Sequence, residues 1–288
     1  MSDTLILQKL AKAAHPAPPA RHLLSGWVGG RTDRALRGLL LPVVLLGFFE
    51  LAANHGWVEA RLLPPPSEIA NTLWQLAQDG LWKHIGSSVA RVGAGFLIGS
   101  VLCLVIAVLV GLSRSFEDLV DPTFQALRNV PSLAWVPLLL LWFGIDETPK
   151  ITMIALGAFF PVYLNVVCGI QNVDRKLVEV GEIHGLNKFE LARRILLPAS
   201  LPSVFTGLRT ALGLAWMFMV AAELIAASQG LGYLLSDGRE TSRPDIVIAA
   251  IFLIALLGKT SDSVLHAVEV RSLYWRDTKR TRNQRNPT

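Results

Sequence analysis

Runs of about 20 mostly apolar residues recur along the chain, separated by short polar segments. That length matches a membrane-crossing helix, because roughly 30 Å of hydrocarbon is crossed at 1.5 Å per residue. Six stretches meet or approach it: 35–53, 93–112, 124–143, 151–170, 204–227 and 245–265. Two of them are interrupted. The third holds Arg128, Asn129, Pro131 and Pro137, and the sixth ends in Lys259-Thr260-Ser261-Asp262. The run Leu138 to Leu141 followed by Trp142 still argues for a crossing in the third. The pattern therefore predicts an all-α integral membrane protein with six transmembrane helices.

Composition narrows the class further. Of the 288 residues 52% are hydrophobic and 17% charged, against about 25% charged in soluble domains. Two cysteines, Cys103 and Cys168, cannot staple a chain this long. Both fall inside predicted spans as packing thiols or a structural pair, packing being the commoner role.

The net charge of +5 gains meaning from where the basic residues fall. Lys and Arg concentrate in cytoplasmic loops. With both termini inside, 19 of the 27 lie on the cytoplasmic side, including Arg114, Arg128, Arg175, Lys176, Lys188, Arg193 and Arg194. Only Arg61, Lys83, Arg91, Lys150, Arg239 and Arg243 lie outside. This predicts an N-in, C-in topology. It consists of a basic cytoplasmic tail 1–34, a transmembrane domain 35–268 with a cytoplasmic loop 171–203, and a second basic tail 269–288. It also sets nucleic acid aside as a partner, since the cations trace the inner leaflet of a membrane rather than one patch. The first 34 residues lack the apolar core of a signal peptide and read as a tail.

The loop 171–203 is patterned. Leu177, Val180 and Ile183 form a helical apolar stripe over 177–184, with Glu179 and Glu182 between them. Gly185 stands where a left-handed residue would stop that helix. A second short helix is predicted over 188–195, with Glu190 four residues before Arg194. Leu197-Pro198 is expected to end it. The alternative is an ordinary solvated loop.

These residues resemble a known family. Glu179-Val180-Gly181, three residues, Gly185, nine residues and Ile195-x-Leu197-Pro198 match the signature E-A-A-x3-G-x9-I-x-L-P. It marks the membrane subunits of bacterial binding-protein-dependent ABC importers. Val180 and Gly181 depart from the two alanines, and glycine lowers local helix propensity by up to about 1 kcal/mol. Further stretches look like the sulfonate, taurine and nitrate branch, with the aliphatic sulfonate permeases most similar along about residues 35–275. They are 127–131, 142–147, 211–216, 221–223 and 230–233.

The resemblance implies a type I ABC importer transmembrane domain in the bacterial inner membrane. It would bind no cofactor, ATP and Mg being used by cytoplasmic ATPase subunits. Two permease copies would form the pathway, and a periplasmic binding protein would deliver the solute. Docking to the ATPase would fall to Glu179, Val180, Gly181, Ile183, Gly185, Ile195, Leu197 and Pro198. ATPase closure would then rotate the helices as rigid bodies.

Candidate path residues are Arg128, Asn129, Pro131, Trp135, Pro137 and Glu223. Prolines free carbonyls for neighbouring groups, predicting a kinked third helix whose cytoplasmic entrance is lined by Arg128 and Asn129. Arg128 snorkelling at the inner surface is the equal alternative. Glu223, near the outer end of the fifth span, would repel an anion. It is expected to pair with Arg239 or Arg243 instead. Lys259 and Asp262 are expected to pair near the inner surface. Trp135, Trp142, Trp216 and Tyr163 suit alkyl contact, interfacial or packing roles. Gly95-x-x-x-Gly99 suits close helix approach. The outer segment 54–91 predicts an amphipathic helix that seals the bundle or touches the binding protein.

Two other classes compete. A channel or secondary carrier would need no docking loop and would carry repeats or midplane carboxylates, and none is evident. A membrane enzyme would need a catalytic cluster. There is no phosphate loop, H-E-x-x-H, C-x-x-C or G-x-S-x-G motif, and the six histidines share no metal-ligand spacing.

Overall fold

The computed structural model describes residues 31–57, 59 and 63–274. Most of both basic tails, and Arg61, lie outside the described residues. The chain divides into two units, Met1–Leu51 and Ala52–Thr288. The first contains most of α1 (Arg31–Asn54), whose apolar stretch Val43–Asn54 is shorter than a full crossing.

The second unit is helical throughout its described residues. In chain order it contains α2 (Pro66–Gln78), α3 (Leu81–Leu112), α4 (Arg114–Asn129), a 3-10 turn (Ser132–Trp135) and α5 (Val136–Phe143). Then follow α6 (Glu147–Gln171), α7 (Arg175–Ile183), α8 (Lys188–Leu191), a π-turn (Ala192–Leu196), α9 (Leu197–Ala226), α10 (Leu231–Glu240) and α11 (Pro244–Ser272). Among the described residues four helices are long and apolar enough to cross a membrane: Leu81–Gly111, Glu147–Gln171, Phe189–Ile225 and Pro244–Ser272. A fifth crossing exists if the bent pair Ser115–Asn129 and Ser132–Phe143 counts as one.

That pair corrects the expectation of a single kinked third helix. Its halves meet at 88°. Pro131 has no N–H to donate and forces Val130 out of the helical region, to φ −78° and ψ 119°. The helix therefore stops and restarts.

α6 is the central helix, packed between α3 and α9. Its closeness to α3 rests on two glycines. A Cβ on Gly95 would lie 2.6 Å from Ile154 Cβ, and one on Gly99 would fall on the Ala155 carbonyl. One core cluster joins Cys103 and Ala107 of α3 to Ala158, Val162 and Val166 of α6 and Ala211 of α9. A second gathers Val92, Leu139, Met153, Ile154, Trp216, Phe218 and Met219. A third packs α10 and α11 (Leu231, Leu234, Ile246, Ala250) on Leu81, with Leu76 of α2 alongside. α2 thus seals one end of the bundle, held to α11 by Thr72 Oγ1 donating to Asp245 Oδ2 at 2.7 Å.

Both cysteines are free. Cys103 is a buried packing thiol as expected, whereas Cys168 is exposed on α6 and packs in no core.

Candidate functional site

The two ends of the bundle carry different chemistry. At the end where α6 runs into α7 and α9 begins, the chain folds into a stiff hairpin. Asp174 caps α7, its Oδ1 accepting from Lys176 N at 3.0 Å. At the other end of α7 the Leu186 N–H donates to Gly181 O (3.1 Å) and the Gly185 N–H to Glu182 O (2.9 Å). With Gly185 at φ +75°, this is the paired-bond stop that glycine makes possible. Asn187 and Glu190 then cap α8 reciprocally. The Glu190 N–H donates to Asn187 Oδ1 (2.9 Å), and the Asn187 N–H to Glu190 Oε2 (3.2 Å).

Gly181 holds the two arms together. It is buried, and a Cβ there would lie 2.5 Å from Leu191 Cδ1 and 2.7 Å from Ile195 Cδ1. The departure from alanine at this position is matched by the side chains that fill its space. Ile195 is half-buried and braces the hairpin against Gly181.

Leu197-Pro198 does not end the second arm, contrary to the sequence expectation. The Leu197 N–H reaches back five residues to Ala192 O. This π-turn absorbs the lost donor of Pro198, which sits in the first turn of α9 where a missing N–H costs little. Helix continues through this register shift from Phe189 to Ile225, so the second arm of the hairpin and α9 form one continuous helix.

What the hairpin leaves uncovered is apolar. Leu177, Val180, Ile183 and Phe189 are exposed, Ile183 by 83% and Phe189 by 72%. Glu179 stands beside them, half-exposed, and accepts from Arg175 Nε at 3.1 Å. Sequence reading missed Phe189, whose signal was an aromatic residue in an otherwise polar stretch.

At the opposite end a buried ionic cluster joins α3, α6, α9 and α10. Glu223 has a fully buried side chain. Its Oε1 accepts from Arg91 Nη1 at 2.7 Å, its two oxygens accept from Ser88 Oγ at 2.8 and 2.9 Å, and its Oε2 accepts from the Gly232 N–H at 2.8 Å. Arg91 also grips Glu147 through Nε (2.6 Å) and Nη2 (2.8 Å), and the Gln229 carbonyl through Nη1 (2.7 Å). Lys150 Nζ completes it at 3.0 Å from Glu147. Gly230, at φ +134°, passes so close that a Cβ would fall on the Glu223 carboxylate.

This overturns the expected pairing of Glu223 with Arg239 or Arg243. Arg243 Nη2 lies 2.7 Å from Asp245, and Arg239 lies 4.0 Å from Glu240. Arg91 wins because it shares a helix face with Ser88 and is itself buried, so each desolvated charge compensates the other. Likewise Asp262 is held mainly by Arg209, at 2.9 Å, with Lys259 at 3.9 Å.

The other path candidates do not converge into one lined site. α4 runs antiparallel to the second half of α6. Gln171 Nε2 donates to Glu117 (2.7 Å), the Tyr163 hydroxyl donates to Asp121 (3.2 Å), and Phe124 stacks edge-on with Phe159. Arg128, one turn beyond Phe124, therefore lies roughly 20 Å along α6 from Gln171. Arg128, Asn129, Pro131 and Pro137 are exposed around the break, while Trp135 packs against the second core. Trp142 is exposed. Trp216 is buried and donates to Ser261 Oγ at 2.9 Å. Val136, Leu139, Leu140, Pro149, Met153, Ala222 and Ile225 line a small apolar recess beside Lys150. No group of His, Cys, Asp and Glu is placed to hold a metal ion among the described residues.

The sequence is similar to known transport proteins. Residues 99–273, more than half of the chain, match the binding-protein-dependent transport system inner membrane component family. The protein named as aliphatic sulfonates transport permease SsuC of Bacillus subtilis (strain 168) is 42% identical, over 84% of this chain and 88% of its own length. Its namesake in Escherichia coli (strain K12) is 44% identical, over 82% and 90%. The taurine transport system permease TauC of Escherichia coli is 32% identical, over 81% and 86%. A chain of the inward-facing MetNI methionine ABC transporter superposes with a TM-score of 0.54. It is 20% identical and covers 68% of this chain and 96% of its own, a likeness of fold alone. The chain thus belongs to the inner-membrane components of binding-protein-dependent ABC transport systems.

Proposed function

We propose that this chain is the permease subunit of an ABC importer for aliphatic sulfonates. In this reading it crosses the membrane six times with both termini in the cytoplasm. Two copies form the pathway. The hairpin formed by α7 and α8 faces the cytoplasm and seats in an ATPase subunit, which supplies the ATP and Mg chemistry. A periplasmic binding protein delivers the anion to the opposite end, near the Glu223 cluster. No ATPase site is assigned to this chain. The bent pair α4 and α5, with Arg128 and Asn129 at the break, borders the path.

The observation that carries the reading is the hairpin itself. Its backbone is capped at both turns. Its apolar residues face outward, and its second arm is continuous in helix with α9. A stiff projection with an uncovered apolar face is what a rigid-body stroke requires. The higher identity to sulfonate than to taurine permeases supports the choice of solute.

The test is co-purification from membranes. A tagged chain is expected to retain its ATPase subunit, and Glu179→Lys to release it while the chain stays folded. Retention of both assembly and transport by Glu179→Lys would contradict the docking role.

A further inference from the structure

The lower half of α9 carries a second ionic clasp, which the docking hairpin does not include. Arg209 of α9 donates to Asp262 of α11 through Nε (2.9 Å, to Oδ1) and Nη2 (3.2 Å, to Oδ2). Its Nη1 reaches Glu269 Oε2 at 3.3 Å, one fork thus spanning two turns of α11. His266 Nδ1 lies between, 3.2 Å from Glu269 and 3.4 Å from Arg209. Arg209 and Asp262 each remain about one-third exposed.

The position of this clasp matters more than its strength. Arg209 stands 12 residues beyond the start of α9, roughly 18 Å along the axis. The helix below it runs back through the π-turn into the hairpin. α11 is the least embedded of the crossing helices. Its upper end is fixed by Ile246 and Ala250 against α10, and by Asp245 against Thr72. Its lower half meets α9 through Leu257 and Leu265, partly buried against the second core, Trp216 beside Gly258, the Trp216–Ser261 hydrogen bond and the Arg209 fork. Few buried apolar groups secure that half, so planar bidentate pairing supplies geometry that packing does not.

We infer that Arg209 is a positioning residue for transport, tying α11 to α9 so that a displacement of the hairpin moves both helices as one body. On the importer reading above, α9 is a shaft clasped at two levels. Glu223 holds its upper end to α3 and α10, and Arg209 holds its lower half to α11. Without the lower clasp the hairpin still docks and the ATPase still turns over, but the motion is spent in α9 alone.

The test uses the complete complex of this chain, its ATPase subunits and its binding protein, reconstituted in liposomes. Solute accumulated per ATP hydrolysed is read alongside subunit stoichiometry and melting temperature. Arg209→Gln is expected to keep assembly, melting temperature and ATP turnover near wild type while uptake per ATP falls about 10-fold. Arg209→Lys, which keeps the charge but loses the fork, is expected to fall between. Asp262→Asn tests the same clasp from α11 if Arg209→Gln does not assemble. Unchanged uptake per ATP in both variants would overturn the inference. So would a loss of uptake that only tracks lost assembly or lost melting temperature. A wild-type complex that transports no sulfonate would instead contradict the proposed function.

Discussion

Arg91 Nη1 lies 2.7 Å from Glu223 Oε1, a pair buried on both sides that joins α3 to α9 across 132 residues of sequence. Charges inside a membrane protein are costly unless they are paired and their remaining valences filled. Here both conditions hold. Ser88 and the Gly232 N–H complete Glu223, and Glu147 and the Gln229 carbonyl complete Arg91.

Removing one partner of such a pair leaves an uncompensated charge, which costs about 3–5 kcal/mol. Arg91→Gln is therefore expected to lower the unfolding midpoint in detergent strongly, since it leaves Glu223 and Glu147 without their shared cation. The double variant Arg91→Gln/Glu223→Gln is expected to recover part of the loss. Thermal unfolding of the four-member cycle measures the coupling.

Much of this architecture was legible in the sequence. The spans found as α3, α6, α9 and α11 follow from apolar length alone, and the hairpin stop at Gly185 follows from the need for positive φ. The ionic cluster was not legible as a unit. The stretches 142–147, 221–223 and 230–233 each carry the family resemblance, yet nothing local says that they converge on Arg91. A residue's partner across 132 positions is set by helix packing, which periodicity does not encode. The continuation through Pro198 was missed for a different reason. Proline is a helix breaker in the interior but not in a first turn, and the π-turn that makes position 198 a first turn has no sequence signature of its own.

The glycine contacts give a paired test of close helix approach. A methyl on Gly99 meets the Ala155 backbone, which cannot move aside, whereas one on Gly213 meets nothing within 4 Å. Gly99→Ala is expected to destabilise the fold by about 1–3 kcal/mol. Gly213→Ala is expected to be neutral or slightly stabilising. Equal unfolding midpoints for the two would contradict the packing of α3 on α6.

The uncovered face of the hairpin predicts a separation of binding from stability. Phe189→Ala and Ile183→Asp change side chains that are mostly exposed. Both are expected to weaken retention of the ATPase subunit at least about 10-fold, as truncation of an interface anchor does. The melting temperature of the isolated chain is expected to stay unchanged. Gly181→Leu, by contrast, is expected to disrupt the brace against Leu191 and Ile195 and so to lower both.

The proposed topology is tested by labelling from one side. In a Cys168→Ala background, Asn187→Cys at the hairpin and Ser236→Cys on α10 are expected to react with an impermeant maleimide from opposite faces. Asn187→Cys should react only in inside-out vesicles, and Ser236→Cys only in right-side-out ones. Reaction of both from one face would contradict the assignment of the two ends.

The central claim is that the capped hairpin is a handle driven by a separate ATPase, and proteoliposome uptake tests it most directly. Vesicles holding this chain with its ATPase subunits and binding protein should accumulate an alkanesulfonate against its gradient only when ATP is supplied on the ATPase side. Vesicles holding this chain alone should not accumulate it. Uphill accumulation by the chain alone, with no ATPase present, would contradict the account.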